Sequence, residues 1–157
     1  MVKKRGKDKA YLPASDQFDI ESFPFYWVAR VNAIYAREMD KILKPLNMDA
    51  SRWRVAMLLR VHGKLSISEL TEHAIAKMPT ITKTVYRMRD EGLVKLQQSE
   101  DDGRVMIVSL SAEGHNKVSL VREQTEELFE RAFKGLTDAQ IARATRFLNQ
   151  FFDNISE

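Results

Sequence analysis

Residues 66–110 read SISELTEHAIAKMPTITKTVYRMRDEGLVKLQQSEDDGRVMIVSL, and their pattern changes twice. Ser66 followed three residues later by Glu69 is a capping box, in which a hydroxyl and a carboxylate each satisfy a backbone N–H that a helix start leaves unpaired. A short helix is therefore expected from Ile67 to near Ala76. Pro79 is tolerated in a first helical turn and opens a second helix that turns Ile81, Val85 and Met88 inward, with Gly92 just past its end. The period then becomes that of strands: LVKLQQ and RVMIVSL are β-rich and flank SEDDG, a polar turn with Asp and Gly where a hairpin needs them.

Upstream, residues 23–46 place Val28, Val31, Tyr35, Met39, Ile42 and Leu46 at three- and four-residue steps, which predicts a long amphipathic helix. Ser22 is its expected N-cap, Pro24 lies in its first turn, and Pro45 with Asn47 marks its end. Asp49 caps a further helix that runs to about His62 before Gly63, with Met48 and Trp53 as a hydrophobic staple. Downstream, Ser111 caps a long helix carrying Val118, Val121, Leu128, Phe129 and Phe133, broken at Gly135. A Thr137/Gln140 box then opens a last helix bearing Ile141, Ala144, Leu148 and Ile155. Helix, helix, helix and hairpin over residues 49–110 describe a winged helix-turn-helix, whose third helix enters the major groove while the hairpin reaches phosphate or minor groove. The fold class is mainly α with a small β-hairpin wing (α+β). Long helices at 23–46 and 112–155 carry more apolar surface than the small winged unit can cover, so they are expected to dimerise. A basic flexible arm over 1–20 precedes one domain over 21–157.

The 157 residues, 44% apolar and 30% charged, suit one globular domain, with no apolar run near the roughly 18 residues that would span a bilayer. The N-terminus lacks the apolar stretch of a secretory signal, so a cytoplasmic protein without membrane partners is expected. The absence of cysteine removes disulfides, thiolate metal sites and thiol oxidation switches. Of the net charge of +3, residues 1–9 contribute five Lys/Arg against one Asp, which leaves the rest near neutral.

The informative charge is local. From Lys77 to Arg89 stand Lys77, Lys83, Arg87 and Arg89, and no acid. Thr80, Thr82, Lys83, Thr84, Tyr86 and Arg87 supply hydroxyl and cationic groups where base edges and phosphates of double-stranded DNA would be met. At the wing, Arg104 either reads a narrow minor groove or pairs with Asp102 to shape the turn.

With these residues in place, residues 25–150 resemble the MarR family of regulators. The family pattern of a wing Asp-x-Arg, a strand and Leu-Ser/Thr-x-x-Gly is matched by Asp102, Arg104, Leu110, Ser111 and Gly114, and its recognition helix by PTITKTVYRMRDEGLV. The resemblance implies a two-fold homodimer that binds a pseudo-palindromic operator and represses, with Thr80, Thr82, Lys83 and Arg87 at contact positions. It also places an effector pocket between the dimer helices and the winged unit. Tyr26, Arg30 and Trp53 are the candidate ligand residues, because an arginine among aromatics suits a small aromatic carboxylate. The aromatics Phe23, Phe25, Tyr26 and Trp27 with Trp53 read more readily as dimer core than as a ligand box. Two departures are Lys83 where the family commonly has Arg, and Lys77 at an N-cap position that it fills poorly.

His62, His73 and His115 are dispersed, and no catalytic motif or glycine-rich phosphate loop is present, so no metal, cofactor or enzymatic activity is expected. The alternatives are a winged-helix protein-interaction module and a ligand-independent DNA-binding protein.

Overall fold

In the computed structural model, which describes residues 9–156, the element order is α1 (Pro24–Leu43), α2 (Ala50–His62), β1 (Lys64–Ser66), α3 (Ile67–Ala74), α4 (Met78–Asp90), β2 (Val94–Gln98), β3 (Met106–Leu110), α5 (Ala112–Phe133) and α6 (Asp138–Ser156). Most of the expected local signals are realised. Asp49 caps α2 by accepting from Arg52 N–H, and the Ser66/Glu69 box closes in both directions. Ser111 caps α5, and Thr137 and Gln140 exchange bonds at the head of α6.

Ser22 is a correction. It ends a 3-10 turn (Ile20–Ser22), and its hydroxyl donates to Asp19 at 2.6 Å rather than capping α1, whose N-cap is Phe23. Of the arm expected over 1–20, residues 1–8 lie outside the described residues. Residues 9–19 form hydrogen-bonded turns that include Asp19 N–H to the Ala10 carbonyl and bury Ser15.

The sheet has one more strand than the hairpin. Its order is β1-β3-β2, antiparallel throughout, with Leu65 opposite Val108 and Leu96 opposite the same residue on the other side. The core gathers Leu43, Val55, Leu59, Leu70, Ile81, Val85, Met88, Val108, Val118 and Val121, all fully buried. Each contributes about 1.5–3 kcal/mol of transfer free energy. α4 is thus fixed to the core along one face, and its opposite face is outward.

The Leu-Ser-x-x-Gly segment has a packing reason. Ser111 Oγ donates to the Gly92 carbonyl at 2.6 Å and accepts from Gly114 N–H at 2.9 Å, while Ser111 N–H donates to the Leu93 carbonyl at 3.0 Å. These bonds draw α5 so close to the α4–β2 junction that a Cβ on Gly114 would lie 2.0 Å from the Leu93 oxygen. Glycine is required there by space.

α6 has no buried residue, and Phe147, Leu148, Phe152 and Ile155 are exposed along it. Val28, Val31, Ile34 and Tyr35 are likewise exposed on α1. Phe25 of α1 meets Phe151 of α6 at 5.5 Å between ring centroids, so these uncovered surfaces adjoin. No described helix is long and apolar enough to cross a membrane.

Candidate nucleic-acid interface and ligand cavity

α4 begins at Met78 with Pro79 in its first turn, and its N-cap Lys77 makes no side-chain capping bond. Ile81, Thr84, Val85 and Met88 are buried, so Thr80, Lys83 and Arg87 come to the outer face, with Thr82 half-buried beside them. Thr84 is therefore a correction to the expected contact set. At 9% exposure it accepts from Ser51 Oγ at 2.9 Å and donates to the Thr80 carbonyl at 2.9 Å, tying α4 to α2. Its spacing from Ile81 and Met88 already placed it on the inward stripe. Tyr86 is exposed with the Arg89 guanidinium 4.7 Å from its ring centroid, and Arg89 also bonds Asp90.

Arg87 is held in a ring of four charges. Its Nε donates to Glu91 Oε1 at 3.0 Å and its Nη1 to Asp49 Oδ2 at 3.3 Å. Arg52, only 3% exposed, closes the ring by donating from Nε to Asp49 Oδ2 at 3.0 Å and from Nη1 to Glu91 Oε2. A buried guanidinium demands compensating acceptors, and here both carboxylates supply them. Partial burial pushes the Asp49 carboxyl up, but the Arg52 backbone N–H and the Arg52 and Arg87 guanidiniums outweigh it and hold the group below its ordinary value. Neither Arg52 nor Glu91 was singled out in the sequence. The only local hint is an arginine three residues after a capping aspartate.

At the wing, Arg104 takes the paired geometry: Nε to Asp102 Oδ1 and Nη2 to Asp102 Oδ2 are both 3.1 Å, and Arg104 N–H also reaches Asp102 Oδ1 at 3.0 Å. The Arg104 bond holds the Asp102 carboxyl below its ordinary value. The arginine side chain is nonetheless 92% exposed at the tip.

Between α1, α2 and α5 lies an open cavity of about 1030 Å³. Trp53, Tyr35 and Phe129 give it aromatic walls, and Arg54, Arg122, Glu123 and Glu126 give it charge. Trp53 is thus where a ligand residue was expected. Tyr26 and Arg30 are not among the lining residues. They face each other at the head of α1, where Arg30 Nη1 donates to Tyr26 Oη at 3.2 Å and the guanidinium lies 5.2 Å from the Tyr26 ring and 5.8 Å from that of Trp27. Arg54 Nη1 is engaged with the Ala74 carbonyl at 3.3 Å. His62, at the cavity rim, stacks on His73 at 4.7 Å, and no group of three metal-ligating side chains occurs among the described residues.

Comparison with known proteins identifies the fold and the family. The MarR family profile matches residues 48–106. The HTH-type transcriptional repressor IacR of Pseudomonas putida is 49% identical over 143 residues, covering 91% of this chain and 86% of that protein. Among solved structures, a mutant MarR of E. coli with operator DNA superposes with a TM-score of 0.73 at 21% identity, over 83% of this chain and 95% of its own. NadR in complex with 4-hydroxyphenylacetate superposes with a TM-score of 0.73 at 22% identity, over 80% of this chain and 89% of its own. The last two share the fold, and the long match to the Pseudomonas repressor carries the assignment: this chain belongs to the MarR family of helix-turn-helix transcriptional regulators.

Proposed function

We propose that the chain is a repressor that binds a pseudo-palindromic duplex operator as a homodimer and releases it when a small aromatic carboxylate occupies the α1/α2/α5 cavity. The observation that carries the DNA reading is the outer face of α4, where Thr80, Lys83 and Arg87 stand exposed on a helix whose opposite face is locked into the core. Lys83 and Arg87 lie one turn apart, and Thr82 flanks them. The head of α4, which no side chain caps, turns the positive end of the helix dipole towards a phosphate, and Arg104 stands at the wing tip for backbone or minor groove. Dimerisation is supported by the exposed apolar faces of α1 and α6, since monomers rarely leave such continuous patches uncovered.

For the effector, Trp53, Tyr35 and Phe129 would pack an aromatic ring. Arg122, whose guanidinium bonds no described residue, would take the carboxylate in place of Arg30. The cavity adjoins α2, which also carries Asp49 and Arg52 of the charge ring, so a ligand that prefers one placement of α2 shifts the DNA-binding geometry.

One experiment series tests the whole. Duplexes selected from a randomised pool by the purified protein share a two-fold related motif. Lys83→Ala and Arg87→Ala each weaken binding to it by about 1–3 kcal/mol with melting unchanged. 4-Hydroxyphenylacetate, the ligand of the NadR complex, serves as first probe for release, and Arg122→Gln removes the response without altering operator affinity. An absence of any shared motif defeats the DNA reading, and unaltered affinity in the Lys83/Arg87 double variant rules out α4 as reader. A response that survives Arg122→Gln moves the carboxylate elsewhere.

A further inference from the structure

We infer that Asp49 and Glu91, fixed by the buried Arg52, are positioning residues that set the sequence selectivity of Arg87. The inference rests on α4 being the reader. A long arginine on a helix surface ordinarily samples many rotamers and is attracted to any phosphate. Arg87 is different, because two of its three guanidinium nitrogens are bonded to carboxylates from two elements, Asp49 at the start of α2 and Glu91 just beyond the end of α4. Those carboxylates are themselves immobilised. Asp49 uses Oδ1 to cap α2 at 2.9 Å and shares Oδ2 between Arg52 and Arg87, and Glu91 gives one oxygen to each arginine.

The ring has two effects of opposite kind on DNA binding. Holding Arg87 in one pose lowers the ordering cost of a contact that matches that pose. Two adjacent negative charges also weaken its attraction to phosphates in general, which disfavours binding without a matching base. Both effects widen the gap between cognate and non-cognate DNA. Arg52 is too buried to touch DNA and acts only through the carboxylates.

The test compares two probes, a duplex selected from a randomised pool and a scrambled duplex of equal length and composition, against the full-length protein at two salt concentrations. Asp49→Asn keeps a good N-cap and Glu91→Gln keeps the shape, so each removes charge while circular dichroism and melting verify the fold. Each variant is expected to lower the ratio of selected to scrambled affinity by about two- to tenfold, with scrambled affinity equal or higher. In an Arg87→Ala background the same substitutions leave the ratio unchanged. Equal tightening on both duplexes shows that the ring merely sequesters Arg87 and overturns the inference. So does an unaltered ratio, or a fall that persists without Arg87. If Arg87→Ala loses selectivity while the carboxylate variants do not, the inference alone fails; if no duplex is selected, α4 as reader fails and the inference falls with it.

Discussion

Gly114→Ala reverses an ordinary expectation. At an unencumbered interior helix position alanine is favoured over glycine by about 0.8–1 kcal/mol, because glycine loses more backbone entropy on folding. Gly114 lies in the first turn of α5, where the added Cβ would stand 2.0 Å from the Leu93 carbonyl oxygen and 3.1 Å from Leu110 Cδ2. A carbon and a carbonyl oxygen settle at about 3.3–3.6 Å, so one of them has to move by more than about 1 Å. The oxygen is backbone and accepts from Ser111 N–H, and the neighbouring Gly92 carbonyl is tied to Ser111 Oγ, so yielding disturbs the cap of α5 and the α4–β2 junction together. Overpacking costs about 1–3 kcal/mol and a weakened hydrogen bond about 1 more. After the propensity gain is subtracted, a net loss of about 1–3 kcal/mol remains. For a chain of this length that lowers the melting temperature by roughly 3–10 °C.

Urea unfolding followed by circular dichroism measures it, with an unchanged slope showing that the loss is one of stability. Gly103→Ala is the control, since nothing lies within 4 Å of a Cβ there. A Gly114→Ala protein as stable as the parent would mean that α5 does not approach Leu93 this closely, and the packing account of the Ser111–Gly114 segment would be refuted.

Two further outcomes follow from the exposed faces and the carboxylates. Leu148→Glu places a charge on the uncovered face of α6, and two such carboxylates in a symmetric interface, at about 3–5 kcal/mol each, abolish dimerisation at micromolar concentration; sedimentation that still shows a full dimer places the interface elsewhere. Because the folded Asp49 carboxyl sits below its ordinary value of 3.8, its contribution is complete above about pH 4 and is lost as pH falls through the lower folded value. Stability measured from pH 7 to pH 2 therefore drops on the acid limb, and Asp49→Asn makes that limb shallower; an identical acid profile in the variant removes Asp49 from the account.

What was legible in the sequence and what was not divides by the range of the interaction. The boxes at Ser66 and Thr137, the caps at Asp49 and Ser111 and the inward stripe of α4 involve partners within four residues, so spacing alone discloses them. Thr84 belonged to the same class, since steps of three from Ile81 and four to Met88 set it on the buried stripe despite its DNA-friendly hydroxyl. β1 is different in kind: three residues with no strand signal of their own extend because Leu65 pairs with Val108, far along the chain. The cavity likewise exists only once α1, α2 and α5 converge, which is why Arg122 was not singled out in the sequence and why Arg30, at the head of α1 beside Tyr26, does not line it. Arg87 stands at the meeting of the two classes. Its exposure on α4 follows from periodicity, but its pose depends on Arg52, whose bond to Glu91 spans 39 residues and requires α2 and α4 to pack first. Local pattern thus designates the residue exposed on α4, and tertiary packing decides the pose in which it is held. On the proposed role of the ring, two chains with identical α4 sequences but different residues at the start of α2 should then differ in the ratio of selected to scrambled affinity measured on the same pair of duplexes.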